Sequence, residues 1–139
     1  KVWKDNPPSY HVKKVLIEEV ARMVKTMHEG GVNHRDCYIC HFLLHLPYSE
    51  QDIPKLSVID LHRAQIRRKV PVRWRDKDLV ALYYSSLEIG FDEKDYLRFL
   101  RTYFGNCRLK IVFEQEKEFL LGVDKRAEKI AIRTVRKKL

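Results

Sequence analysis

No run of apolar residues in this 139-residue sequence approaches the roughly 20 that a membrane span requires. The longest, Phe42 to Leu46, is broken by His45 and stopped by Pro47, so a soluble or peripheral protein is expected. Cysteine is scarce. Cys37, Cys40 and Cys107 make an odd set, which argues against a disulfide framework and for a reducing compartment, with the cytoplasm as the default. No charged-then-apolar leader with a small-residue cleavage site is legible, so no signal peptide is expected, and a start at Lys1 rather than Met leaves room for an upstream segment. Internal repeats and low-complexity linkers are also missing, and the length suits one core rather than two independent domains.

Positive charge, by contrast, is abundant. A formal net charge of +9 favours an anionic partner: nucleic acid, a nucleotide, an acidic lipid surface or an acidic protein. Charge alone does not choose among these, and a surplus of this kind can also be no more than a solvated face.

Val12, Val15, Leu16, Val20, Met23, Val24 and Met27 recur at three-to-four spacing, which predicts a core-facing helix over about 10–29. Asn6 or Ser9 can cap its start, and Gly30-Gly31 supplies a left-handed stop. Residues 33–40 have no period and read as an ordered loop. Phe42 to Leu46 and Leu56 to Asp60 are short apolar runs joined by a long connection, the pattern of a small hairpin. Residues 61–75 lack an apolar period and are rich in Arg63, Arg67, Arg68, Lys69, Arg73 and Arg75, with Lys77 just beyond, so the segment is expected to be exposed and electropositive. Asp76 or Asp78 opens a further helix that stops at Gly90. Asp92 and Asp95 cap the next one, and residues 108–139 form one or two more with a break at Gly122.

The string Met27-His28-Glu29-Gly30-Gly31-Val32-Asn33-His34-Arg35-Asp36 resembles the end of a kinase catalytic-lobe helix running into its His-Arg-Asp loop. His-Arg-Asp alone is a common accident; the preceding helix, its glycine stop and the following strand pair make the match specific. A phosphoryl acceptor hydroxyl needs one carboxylate to orient it and take its proton, and Asp36 is the candidate, the plain alternative being a loop carboxylate that caps local amides. Asp60 closes the second short strand where kinases place the Asp that holds magnesium, the alternative being an ordinary strand-end Asp. His34 and Arg35 would support the loop. Asp78 resembles the buried kinase Asp that hydrogen-bonds the loop backbone, or is a helix cap. Two positions depart from the kinase pattern. His41 stands where an Asn on the second metal is usual, and since imidazole is a poor ligand for magnesium, it would act through a water, contact phosphate or mark altered metal demands. Asp60-Leu61-His62 keeps the Asp of Asp-Phe-Gly and loses its glycine, which puts loop switching in doubt.

Cys37-Tyr38-Ile39-Cys40-His41 also spells the C-x-x-C-H of c-type haem attachment, and Cys37, Cys40, His41 and His45 could be read as a zinc set. Haem attachment needs export, and adjacent ligands at 40 and 41 strain a tetrahedron. The simpler reading packs both cysteines beneath the loop as small apolar residues.

Residues 32–45, the string Ser57-Val58-Ile59-Asp60-Leu61-His62-Arg63-Ala64-Gln65 and Arg73-Trp74-Arg75-Asp76-Lys77-Asp78-Leu79 resemble the lipopolysaccharide core heptose(I) kinase family over nearly the whole chain, and His41 and His62 then look like family features. The resemblance implies an α+β, mainly α fold: a protein-kinase-like C-terminal lobe, a helical bundle with a small two-stranded hairpin beside the catalytic loop. It further implies ATP- and Mg2+-dependent phosphorylation of the first heptose of the inner core at the cytoplasmic face of the Gram-negative inner membrane. Asp36 would be the base, and Asp60 and His41 would take the metal and nucleotide. The partners implied are the inner-core glycolipid, an N-terminal lobe not seen in this chain and acyl carrier protein, whose acidity would suit a basic surface. The short arginine-rich stretch between Asp60 and Asp78, which lacks the Ala-Pro-Glu platform of protein kinases, suits an anionic sugar better than a peptide: Arg63, Arg67, Arg68, Lys69, Arg73 and Arg75 could pair with acidic sugars or phosphates, or be solvated in part. The basic helix from Asp124 to Lys138 could rest on anionic lipid or pack on its own domain. No glycine-rich phosphate loop or strand lysine is present, so the chain alone is expected not to turn over. Two other readings remain, a protein (tyrosine) kinase-like activity and a basic nucleic-acid-binding module. A peptide platform and interleaved stacking aromatics are not visible, and nucleic acid is not expected as a partner.

Overall fold

A computed structural model describes residues 7–105 and 108–138; Asn6 and Cys107, considered above, lie outside the described residues. Helix α1 spans Tyr10–Glu29, and the Ser9 side chain caps it by accepting from the Val12 amide at 3.3 Å. Its buried positions are Val12, Ile17, Ala21, Val24 and His28. The apolar stripe read from sequence is shifted toward Ile17 and Ala21 because α1 lies along α3 (Glu93–Tyr103), and small Ala21 allows close approach.

Past α1, strand β1 (Val32–Asn33) leads into the loop and a short 3-10 turn, Ile39–His41. Strands β2 (Phe42–Leu44) and β3 (Leu56–Val58) form the expected antiparallel hairpin, with Phe42 opposite Val58 and Leu44 opposite Leu56. A second antiparallel pair joins β1 to β4 (Gln65–Ile66), with Val32 opposite Ile66. The basic segment is therefore a partner strand at this point rather than wholly exposed loop. Gly31, at φ 87°, makes the pairing possible: a Cβ there would lie 1.9 Å from the Arg67 carbonyl oxygen, and the Arg67 amide donates to the Gly31 carbonyl at 2.7 Å.

That contact gives a paired prediction. Gly31→Ala in the full-length protein adds a backbone clash to left-handed strain, for a loss of about 3 kcal/mol. Gly90→Ala has almost the same φ, 88°, but open space around the added methyl, so only the strain remains, about 1 kcal/mol. Denaturant unfolding of the two variants separates these outcomes, and equal losses would discount the Arg67 contact.

Helix α2 spans Val72–Ser86 and starts from Pro71, not at Asp76 or Asp78. Its first turn shows no apolar period because Arg73, Trp74 and Arg75 make cation–π and ionic contacts there instead of core contacts. Asp92 and Asp95 form a reciprocal capping box on α3. The C-terminal part is two helices, α4 (Leu109–Gln115) and α5 (Lys117–Lys138), but the break falls at Glu116, and Gly122 lies inside α5. The Arg75 guanidinium fixes that junction, donating to both Glu116 carboxylate oxygens at 3.1 and 2.8 Å.

The core gathers Ala21, Val24, Cys37, Leu79 to Leu82, Tyr103 and Phe119. Helix α5 packs on α2 through Phe119, Val123, Ala127 and Ile130, whereas Leu121, Ile132 and Val135 are exposed. Among the described residues no helix is long and apolar enough to cross a membrane.

Candidate active site

Asp78 is the centre of a buried network. It is 1 % exposed, and three N–H groups converge on its carboxylate: the His34 amide on Oδ2 at 2.8 Å, the Arg35 amide on Oδ1 at 2.9 Å, and His28 Nε2 on Oδ2 at 2.8 Å. With Nε2 donating, His28 Nδ1 is free to accept from the Tyr103 hydroxyl at 2.7 Å. Burial pushes that hydroxyl well above the ordinary tyrosine range, so it stays protonated and able to donate. A chain of bonds thus runs from α3 through α1 to α2 and ends on the backbone of the His-Arg-Asp loop. Asp78 lies within α2 and does not cap it.

Arg35 sits at φ 73°, a conformation that costs a non-glycine residue on the order of 1–3 kcal/mol and persists only where neighbours impose it. The Asp78 bond to its amide is one such constraint. His34, fully buried, supplies another. The Asp36 amide donates to His34 Nδ1 at 3.1 Å, so the proton resides on Nε2, which donates to the Ile59 carbonyl at 2.9 Å. The loop carrying Asp36 is tied in this way to the segment after β3; Asp60, held there at φ 63°, lies two residues past the last strand residue, Val58, rather than closing the strand.

His41 joins the two acidic residues. Its Nδ1 donates to the Asp36 carbonyl at 2.7 Å and its Nε2 lies 3.2 Å from Asp60 Oδ2. The Ile59 amide donates to the His41 carbonyl at 2.9 Å, and the His41 ring stacks on His34 at 5.6 Å. With Nδ1 as the donor, a neutral His41 turns a lone pair toward a carboxylate. His62 Nδ1 contacts the other Asp60 oxygen.

Asp36 is largely covered, at 13 % exposure, and Oδ1 takes the Arg63 guanidinium at 2.7 Å, the latter about half exposed. Among the described residues Oδ2 has no partner, so one oxygen of the carboxylate is open. Arg67, Arg73 and Arg35 gather at Trp74, while Arg68 and Lys69 are exposed. Arg75 is placed differently: it is committed to Glu116 and Asp76 and covered by Phe104 and Phe119. Its charge is offset inside the fold by two carboxylates.

Among the described residues no three or more His, Cys, Asp or Glu are arranged to hold a metal. Cys37 is buried and its thiol is pushed up, by burial first and by Asp78 second, while Cys40 is exposed. Among the described residues Cys37, Cys40, His41 and His45 are not brought together as one set. Asp60 fits a magnesium ion of the kind that nucleotides carry, which takes one or two carboxylates and completes its shell with phosphate oxygens and water, and His41, a poor direct ligand, would reach it through a water.

His28, Tyr103, Ser85, whose hydroxyl accepts from the Ile39 amide at 2.8 Å, and Trp74 are site residues that sequence reading passed over. For His28 a signal was present, since it lies four residues beyond Val24 on the buried face of α1.

The pattern of the lipopolysaccharide kinase (Kdo/WaaP) family matches residues 1–103. A lipopolysaccharide core heptose(I) kinase, WaaP, of Escherichia coli is 54% identical over 138 residues, 99% of this chain and 52% of that protein. Its counterpart from Pseudomonas aeruginosa is 55% identical over 130 residues, 92% of this chain and 48% of its own. The chain spans about half the length of these curated relatives. A solved structure of WaaP in complex with acyl carrier protein superposes with a TM-score of 0.83 at 55% identity, covering 91% of this chain and 53% of that one.

Proposed function

Since the chain belongs to the lipopolysaccharide kinase (Kdo/WaaP) family, we propose that it forms the C-terminal lobe of an enzyme that phosphorylates the first heptose of the lipopolysaccharide inner core. The observation that carries this reading is the joint placement of Asp36 and Asp60 around His41 on a loop pinned by Asp78.

Asp36 Oδ2 is the group that receives an acceptor hydroxyl, orients it and takes its proton as the new bond forms. Arg63 on Oδ1 holds the carboxylate in one rotamer. Asp60 would hold magnesium, with His41 reaching it through a water, and the ion would supply neutralisation of charge at the nucleotide phosphates. Backbone strain at positions 35 and 60 is absorbed by the buried bonds around His34 and Asp78, so the carboxylates are positioned before substrate arrives.

Arg63, Arg67, Arg68, Lys69 and Arg73 give the site a cationic rim suited to an acidic glycolipid. The same charge suits acyl carrier protein as a partner and anionic lipid at the cytoplasmic face of the inner membrane as a surface, with α5 offering Ile132 and Val135 among basic residues. The half of the relatives' length that this chain does not span would supply the glycine-rich loop and nucleotide lysine.

The full-length protein should transfer phosphate from ATP to core glycolipid, leave a generic peptide at or near background, and bind single-stranded DNA only in a salt-sensitive, non-specific way. Residues 1–139 alone should bind ATP weakly and transfer nothing. A preference for peptide over glycolipid would overturn the proposed acceptor, and robust transfer by residues 1–139 would overturn the need for a second lobe.

A further inference from the structure

Four cationic side chains crowd around one indole at the start of α2. The Lys77 ammonium lies 4.4 Å from the centroid of Trp74, the Arg73 guanidinium 5.0 Å, and those of Arg35 and Arg67 5.4 Å each. They come from three separate segments: the catalytic loop, the residue after β4, and α2 itself. Among the described residues none of the four has a carboxylate within ion-pair distance, unlike Arg63 with Asp36 and Arg75 with Glu116. Arg67 donates to Gln65 Oε1 at 2.5 Å, yet its buried Nε has no partner.

Charges of one sign gathered within about a Debye length repel one another, and the face of a single indole offsets only part of that repulsion. A cluster that the fold assembles from three segments and leaves without a counter-charge is stabilised when an anion enters it. Guanidinium groups, with paired planar donors, match carboxylate and phosphate oxygens. Arg35 immediately precedes Asp36 in the chain, so the cluster includes a residue of the same loop that carries the proposed base.

We propose that Arg35, Arg67, Arg73 and Lys77, arrayed on Trp74, form a site for an anionic substituent, carboxylate or phosphate, on the saccharide that carries the acceptor hydroxyl. This rests on the sugar-kinase reading above and extends it: the anion sets the register of the saccharide, and Asp36 then meets one hydroxyl among several.

The test is calorimetric binding of core oligosaccharide to the full-length protein without nucleotide, comparing wild type with an Arg73→Gln, Lys77→Gln double variant. Both side chains are exposed, and circular dichroism checks that the variant is folded. Three further ligands are used: the oligosaccharide with its carboxyls reduced to alcohols, the same molecule after phosphatase treatment, and one treated both ways. The double variant should bind the intact saccharide about tenfold or more weakly. The doubly treated saccharide should bind wild type and variant alike, and the singly treated ligands identify which anion is read. No weakening in the variant, equal weakening on the doubly treated ligand, or no binding of the intact saccharide by wild type would each overturn the site. Acid-dependent binding without phosphoryl transfer from ATP would leave the site standing and remove the kinase reading instead.

Discussion

Asp36→Ala in the full-length protein is expected to lower kcat for sugar phosphorylation by about a thousandfold, within the range for loss of a positioned general base, while leaving the fold intact. The two halves of that expectation have separate grounds. The Asp36 side chain is an acceptor for one half-exposed guanidinium, and an exposed ion pair of this kind contributes at most about 1 kcal/mol to folding. The bonds that shape the loop run through the Asp36 backbone, with its amide on His34 and its carbonyl on His41, and alanine keeps both. Asp36→Asn should resemble alanine in kcat, because an amide can orient a hydroxyl but cannot accept its proton. Thermal unfolding and steady-state kinetics on the same preparations decide the matter. A rate within tenfold of wild type in either variant would remove Asp36 from the role of base.

How much of this site could be read in advance depended on how far apart in sequence its partners lie. The joint placement of Asp36 and Asp60 at His41 was legible because each sits in a contiguous string that resembles the kinase pattern. The β2–β3 hairpin was legible from two apolar runs, and the α3 capping box from Asp92 and Asp95 at the required spacing. The β1–β4 pair was not, since strands of two residues have no measurable alternation and the basic character of residues 61–75 pointed to exposure. The start of α2 was missed for a related reason: Arg73, Trp74 and Arg75 satisfy rings and carboxylates rather than the core, so the helix begins without an apolar stripe. Gly122 misled because glycine weakens a helix by only about 1 kcal/mol, and the bidentate Arg75–Glu116 contact locates the break six residues earlier. His28 and Tyr103 depend on pairings that span 50 and 75 residues; helical spacing puts His28 on the buried face of α1, but nothing local announces its partners.

Asp78 illustrates the same limit and yields the other large expected effect. From sequence it could equally cap a helix; in the fold it is a buried carboxylate that accepts from three N–H donors. Asp78→Ala strands the amides of His34 and Arg35 and the His28 Nε2–H without an acceptor, at roughly 1–3 kcal/mol for each buried group, and a loss of about 3–5 kcal/mol is expected where a buried charge partner is removed. Asp78→Asn is the sharper probe. An amide oxygen placed at the Oδ2 position can still accept from His34 and His28, but its NH2 then faces the Arg35 amide, donor against donor. Stability should fall by about 1–3 kcal/mol, and the left-handed turn at Arg35 loses the bond that constrains it. Hydrogen exchange read residue by residue should show the Arg35 amide deprotected more than that of His34, together with a fall in kcat larger than any change in KM for ATP. If both amides keep wild-type protection in Asp78→Asn, the loop is held by His34 and His41 alone, and Asp78 contributes to stability without positioning Asp36.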